Sequence, residues 1–287
     1  MNAMNALLVL AAFTWLADEA NGPQRIGETQ IGAAVVDARG VRSHEVRSPL
    51  QSRATRIDVV LPRPFHAEKR YPVVYVLPVE QQGDSRFGDG VRELLDQRLP
   101  ERFPVIFVAP TFAELPWYAD HPERQDLRQE SYLLDVVLPF VEKTYPVKQE
   151  PSGRLLLGYS KSGWGAWTLL LRHPGRFARA AAWDAPLMMD KPGLYGSGPI
   201  FGGPENFRRY QVSTLVRERA ELLREEKAAP QLLLTGYGNF RDEHVRMQSL
   251  LKSLDIPHVY RDGPSRKHDW HSGWVAESLE MLLDPAP

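Results

Sequence analysis

One serine and one histidine in this chain are placed to do nucleophilic chemistry. The segment Leu155-Leu156-Leu157-Gly158-Tyr159-Ser160-Lys161-Ser162-Gly163 runs three apolar residues into a turn with a serine at its apex. A sharp strand-to-helix turn needs small residues two before and two after the nucleophile, because the backbone there is crowded and strained. Gly158 fills the first small position and Ser162 the second, with Gly163 and Gly165 behind. Such a turn aims Ser160 Oγ outward. It also points the Lys161 N–H, at a helix N-terminus, toward a developing oxyanion. A plain helix N-cap is the other role open to a serine at this junction, so the reading needs a base from elsewhere.

The segment RDGPSRKHDWHSGW, residues 261–274, supplies one. His268 follows a strand-like run, sits in a Gly/Pro loop and precedes the last helical pattern. A histidine after the final strand suits the chain order Ser, acid, His. His271 is the rival, three residues on and expected at the start of the helix. Lys161, beside the nucleophile, either favours an anionic substrate or sits in solvent. Trp117 and Tyr118 follow a strand end and could line an acyl or alcohol pocket, as could Trp164, Trp183 and Trp270. Clustered, they would suit a sugar or aromatic ester. The pairs Asp120-His121 and Asp269-x-His271 lack the spacing of a metal site, so no metal and no cofactor is expected.

Composition closes off other chemistry. The chain has 287 residues and no cysteine, which excludes disulfides, thiolate catalysis and cysteine-ligated metals. Its formal net charge is −1, with no basic stripe of the kind nucleic-acid binding needs. The apolar run Ala6 to Ala17 has signal-peptide length and is short for a membrane span. It predicts a leader over 1–20 and export to the periplasm or beyond; a buried N-terminal helix, with cytoplasmic residence, is the rival reading. One domain is expected over 21–287.

The elements that must carry these residues alternate. ATRIDVVLP is rich in β-branched residues. YPVVYVLP and FPVIFVAP are continuous apolar runs bounded by proline, suited to strands covered on both faces. ESYLLDVVLPFVEKTYP has helical spacing with Pro139 inside it. RLLLG, ARAAAWD, QLLLT and IPHVYRD read as strands, and WGAWTLLLRHP, EHVRMQSLLKSL and HSGWVAESLEMLL as helices. Residues 184–207, rich in Gly and Pro, read as a loop or lid with little regular structure. ETQIGAAVVDARG reads as linker or early strand. The class is α/β with a mainly parallel sheet.

Those residues resemble the putative-esterase family of α/β-hydrolases, which takes in esterase D (S-formylglutathione hydrolase) types, enterochelin esterases, feruloyl esterase domains and mycolyltransferases. RIDVVLP with YPVVYVLP resembles its opening strands. LLLGYSKSGWGAWTLLLRHPGRFARAAAWD resembles its nucleophile turn, helix and next strand, and KHDWHSGW its terminal region. The likeness runs from about Ser48 to Trp274. It implies the α/β-hydrolase fold, with a mainly parallel central sheet and helices on both faces. It also implies Ser160 as nucleophile and His268 as base.

Two features depart from the family pattern. Where the family has His-Gly after its strand, this chain reads Pro78-Val79-Glu80. Proline has no N–H, so Val79 or Glu80 must donate to the oxyanion. The Glu80 carboxylate would oppose that role unless it points away, as a solvated loop residue would. Where the family has Gly-x-x-Asp, the chain reads Gly236-Tyr237-Gly238-Asn239, and asparagine cannot stabilise imidazolium by charge. Asp184 and Asp242 are then equal candidates for the acid, with Asp242 also a candidate helix cap and Glu243 a weaker alternative. The expected activity is cofactor-free cleavage of a small-molecule or carbohydrate-linked ester, with no nucleic-acid partner, no stable membrane span and no reading of oligomeric state. A non-catalytic, hydrolase-like binding protein is the alternative, favoured by the altered loop and Asn239.

Overall fold

The computed structural model describes residues 22–225 and 231–284. The leader expected over 1–20 lies outside the described residues. Eleven strands form one sheet. The first four are β1 (Gln24–Ile26), β2 (Thr29–Ile31), β3 (Val35–Val36) and β4 (Arg42–Arg47). Then come β5 (Thr55–Val60), β6 (Val73–Val76), β7 (Ile106–Pro110) and β8 (Arg154–Tyr159). The last are β9 (Arg179–Trp183), β10 (Leu232–Leu234) and β11 (His258–Tyr260). Their order is β1-β2-β4-β5-β7-β6-β8-β9-β10-β11, with β3 paired to β4. Every pairing from β7 through β11 is parallel. The strands before them pair antiparallel.

The continuous apolar runs are what a sheet covered on both faces requires. Every residue of β6 and β8 is buried. Alternate side chains leave on opposite faces. Val73, Tyr75, Leu156 and Ala182 join one apolar cluster, with the helices Ser160–Arg172 and Leu138–Thr144. Val74, Val76, Leu155, Leu157 and Ala181 join the other, with Leu94 of the helix Gly90–Asp96 and Leu279 of the helix Val275–Leu283. The α/β-hydrolase architecture expected from the sequence is the one observed.

Two local features differ from the sequence reading, and a third decides between its alternatives. Pro139 does not interrupt its helix, because the turn before it widens into a π-helix over Tyr132–Val137. In a regular α-helix its ring would strike the carbonyl four residues back, and the wider turn relieves that contact. The Gly/Pro-rich stretch 184–207 is not irregular throughout, since it carries short helices at Leu194–Gly196, Gly198–Phe201 and Pro204–Arg208. The stretch read as linker or early strand holds two strands, β2 and β3, within a four-strand antiparallel extension before β5. Among the described residues no helix is long and apolar enough to cross a membrane.

Candidate active site

The strand β8 ends at Tyr159 and the helix begins at Ser160, whose φ is 51°. That value is costly for a residue with a Cβ and persists only where the surroundings enforce it. Gly158 is required by contact: a Cβ there would lie 2.4 Å from the carbonyl carbon and oxygen of Ser162. Ser162 Oγ accepts from the Tyr159 N–H at 3.0 Å and donates to the Tyr159 carbonyl at 2.9 Å. The serine that stands where the motif has glycine therefore closes the turn with its own hydroxyl. Ser162, and not Ser160, carries the side-chain bonds of this junction, which leaves Ser160 Oγ uncommitted among the described residues.

Sheet order brings the next group alongside. Tyr159 of β8 is paired with Trp183 of β9, so the residues that follow each strand are neighbours. The Ser160 N–H donates to the Asp184 carbonyl at 3.2 Å. Asp184, fully buried and itself at a φ of 43°, turns its carboxylate toward the loop after β11. His268 Nδ1 lies 2.6 Å from Asp184 Oδ2. The N–H groups of Asn239 and Phe240 donate to the same carboxylate at 2.8 and 2.6 Å. Gly238 permits this wrap, since a Cβ would sit 2.7 Å from Asp184 Oδ2. Burial pushes the Asp184 carboxyl up, but hydrogen bonds from His268 and from the Asn239, Gly238 and Phe240 amides outweigh it and hold it below the usual carboxylate range. An ionised carboxylate only accepts, so His268 Nδ1 carries the proton of this bond. Nε2 has no hydrogen-bond partner among the described residues.

The other candidate acids are elsewhere. Asp242 is exposed in the first turn of the helix Arg241–Ser253, whose N-cap position is Phe240, so it neither caps the helix by its side chain nor meets His268. Glu243 accepts from the Met188 N–H at 2.6 Å. Asn239 meets the Asp184 carboxylate through its backbone N–H. His271 is not at a helix start but in the tight turn Trp270–Ser272, with Nδ1 2.7 Å from Glu93 Oε2 and Nε2 accepting from the Asp89 N–H.

The loop after β6 lies across from the turn. The N–H groups of Val79 and Glu80 have no hydrogen-bond partner among the described residues. The Lys161 N–H, in the first turn of its helix, has no carbonyl four residues back within that helix. Glu80 is not a solvated loop residue, and Lys161 is not in solvent. Glu80 Oε1 and Lys161 Nζ pair at 3.0 Å, with side chains 6% and 10% exposed.

The aromatic platform expected from the sequence is absent. Trp117, Tyr118 and Trp164 are completely buried, and Trp183 and Trp270 nearly so. Trp117 packs edge-on to Trp164, which stacks on Phe207, while Trp183 stacks on Trp274. Large rings gain more by covering one another than by facing water. The rings near His268 are others. Phe87 and Phe240 lie 5.7 and 5.6 Å from it, and half-exposed Tyr195 packs on Phe240. Phe87 and Phe240 come from two loops and Tyr195 from the short helix Leu194–Gly196, with no periodic pattern, so nothing in the sequence marked them. Asp120 is engaged by Ser131, His121 Nδ1 accepts from the Glu123 and Arg124 N–H groups, and Asp269 caps the turn at His271. Among the described residues no group of three or more His, Asp or Glu could hold a metal.

Comparison with known proteins agrees with this architecture. The sequence profile of the family described as "Putative esterase" matches residues 48–231. Esterase Rv1288 of Mycobacterium tuberculosis (strain ATCC 25618 / H37Rv) is 26% identical over 170 residues, 52% of this chain and 36% of that protein. The chain thus spans little more than a third of that relative's length. Among solved structures, a ferulic acid esterase superposes with a TM-score of 0.65 at 22% identity, covering 85% of this chain and 96% of that one. The fluorophosphonate-binding serine hydrolase F of Staphylococcus aureus gives 0.67 at 17% identity, covering 85% and 97%. An S-formylglutathione hydrolase from Agrobacterium tumefaciens gives 0.61 at 17%, covering 88% and 95%. At these identities the superpositions speak to the fold. With the profile matching well over half of its length, the chain belongs to the putative-esterase family of α/β-hydrolases.

Proposed function

We propose that this protein hydrolyses carboxylic esters through an acyl-enzyme on Ser160. The observation that carries the reading is the 2.6 Å bond between His268 and buried Asp184, next to a serine held at positive φ. His268 Nε2 takes the proton of Ser160 Oγ as Oγ attacks the acyl carbon. Asp184 holds the imidazole in the tautomer that does this and stabilises the imidazolium. The N–H groups of Lys161 and of Val79 or Glu80 receive the carbonyl oxygen as it becomes an oxyanion. When the tetrahedral adduct collapses, His268 returns the proton to the leaving alcohol. Water then attacks the acyl-enzyme, with His268 again as base, and the acid departs. A second alcohol in place of water would give acyl transfer.

Phe87, Phe240 and Tyr195 support a substrate with an apolar or ring-bearing part, such as an aromatic or sugar-linked ester. The non-catalytic alternative drew on Asn239 and on the Pro78-Val79-Glu80 loop. Asn239 serves Asp184 through its amide and Glu80 is neutralised by Lys161, so neither feature argues for it now. The test is covalent labelling by a fluorophosphonate probe together with p-nitrophenyl acetate hydrolysis. Both are expected in the wild-type protein and absent in a folded Ser160→Ala variant. A wild-type protein inert in both assays would favour the binding protein. The apolar segment Ala6–Ala17 supports export, which cell fractionation and N-terminal sequencing of the mature protein would test.

A further inference from the structure

We infer that Lys161 and Glu80 are positioning residues whose buried ion pair sets the oxyanion hole, an inference that rests on the ester-hydrolase reading above. Lys161 directly follows the nucleophile, so its backbone and Ser160 move together. Glu80 lies on the loop after β6. Their side chains meet at 3.0 Å out of bulk water, and Lys161 Nζ also sits 5.8 Å from the centre of the Phe87 ring. Among the described residues each charge has only the other as its ionic partner. Such a pair is a weak device for stability, because desolvating two charges offsets most of their attraction, and apolar side chains of similar volume often do as well. What it does provide is a fixed relation between two backbone segments. Those are the two segments to which the ester-hydrolase reading assigns the oxyanion amides.

A second tether holds the other end of the loop. Tyr118 Oη donates to the Pro78 carbonyl at 2.6 Å. The Tyr118 ring lies against Gly165 of the helix Ser160–Arg172, where a Cβ would be 2.0 Å from a ring carbon. In a trans peptide the carbonyl and the following N–H point in opposite directions, so fixing the Pro78 carbonyl fixes the Val79 N–H. Val79 and Glu80 are thus anchored on both sides to one helix, the helix that begins with the nucleophile. The ammonium also cancels the Glu80 charge, which would otherwise oppose a developing oxyanion. Tyr118, expected from the sequence to touch substrate, acts here through the loop.

The test compares kcat and KM for p-nitrophenyl acetate with the affinity for a trifluoromethyl ketone, which adds to serine as a tetrahedral mimic. Lys161→Met and Glu80→Gln should each lower kcat about tenfold to a hundredfold, with KM little changed and the ketone weakened by the same factor. Lys161→Arg should recover part of the loss, and Tyr118→Phe should shift kcat in the same direction by less. The double variant Lys161→Met/Glu80→Met leaves no lone buried charge. It should keep its melting temperature and stay as slow as the single variants, so it decides the matter if a single variant fails to fold. Wild-type kcat in the double variant would overturn the inference. So would a loss confined to KM for anionic esters, which would make Lys161 a substrate contact. A wild-type protein inert to ester and probe removes the parent reading and this one with it. An active, Ser160-dependent wild type with unaffected variants removes only this one.

Discussion

Among the described residues three carboxylate–histidine pairs of nearly equal length occur, and their surroundings differ. Asp184 and His268 meet at 2.6 Å, Glu130 and His173 at 2.7 Å, Glu93 and His271 at 2.7 Å. All three carboxylates are buried. The Glu130 centre is saturated: Arg172 donates to both of its oxygens, Tyr210 Oη adds a third bond, and His173 sits at the C-cap of the helix Ser160–Arg172. Burial pushes the Glu130 carboxyl up, yet His173 and Arg172 prevail and hold it down. That centre ties the helix to the segment that carries Tyr210. In the Glu93 pair both ring nitrogens of His271 are used. Only the Asp184 pair is fed by backbone amides, and among the described residues its His268 Nε2 has no hydrogen-bond partner. A carboxylate–histidine contact is therefore no signature of catalysis by itself. What distinguishes the pair is which groups neutralise the carboxylate and where the second nitrogen is left.

The largest expected effect comes from breaking the first pair. Asp184→Asn should cut kcat for p-nitrophenyl acetate by about a thousandfold to ten-thousandfold, because the imidazolium loses its counter-charge and its tautomer is no longer enforced. Steady-state kinetics on folded variant protein checks this. Asp242→Asn should leave kcat near wild type; the reverse pattern would move the acid to Asp242. Glu130→Gln should leave kcat unchanged and cost about 2 kcal/mol of stability, because Arg172, partly buried, is left without its counter-ion. The denaturation midpoint reads that loss, and a large fall in kcat without destabilisation would erase the contrast between the two pairs.

A histidine without a carboxylate partner sharpens the comparison further. His244, completely buried behind Asp184, accepts from the Ala185 N–H at 2.9 Å. Burial drives its pKa from 6.5 down to about 4. The folded value is lowered, so the unfolded chain binds the proton first. His244 therefore contributes stability above pH 6.5, and that contribution is lost as pH falls toward about 4. The slope is at most about 1.4 kcal/mol per pH unit. Chemical denaturation across that window should show it, and His244→Gln should flatten it. An unchanged slope would place the acid sensitivity on another group. The smallest effect belongs to His271→Ala, about 1 kcal/mol in stability, since His271 is partly exposed and water can replace it. Its kcat should match wild type, and a kcat falling to the Asp184→Asn level would reinstate His271 as the base.

Much of the fold was legible in the chain. Proline-bounded apolar runs marked β6 and β7, and every residue of β6 is indeed buried. For the short antiparallel strands before β5 the sequence offered a strand only as one of two readings of ETQIGAAVVDARG, because side chains there alternate between buried and exposed over too few residues to stand out. Ser160 and His268 could be picked out because a strained turn and a Gly/Pro loop leave marks in residue type. The substrate aromatics were misjudged for the opposite reason. An indole after a strand end looks the same in sequence whether it faces a cleft or another ring.

The sequence alone determined the turn at Ser160, the histidine that follows the last strand, and the alternation of strands and helices. These depend on local sterics and on periodicity, which are written in neighbouring residues. Only the tertiary structure brought Asp184, and not Asp242, to His268, joined Lys161 to Glu80, and sent Trp117, Tyr118, Trp164 and Trp270 into the interior. Asp184 lies beside Ser160 because β9 is hydrogen-bonded to β8, so the two residues that follow those strands are adjacent although far apart in the chain. Asp242 also follows a strand, β10, but its helix carries it out to solvent. Adjacency of that kind is set by strand order across the sheet, and strand order is a property of how all the segments pack together, not of any one of them.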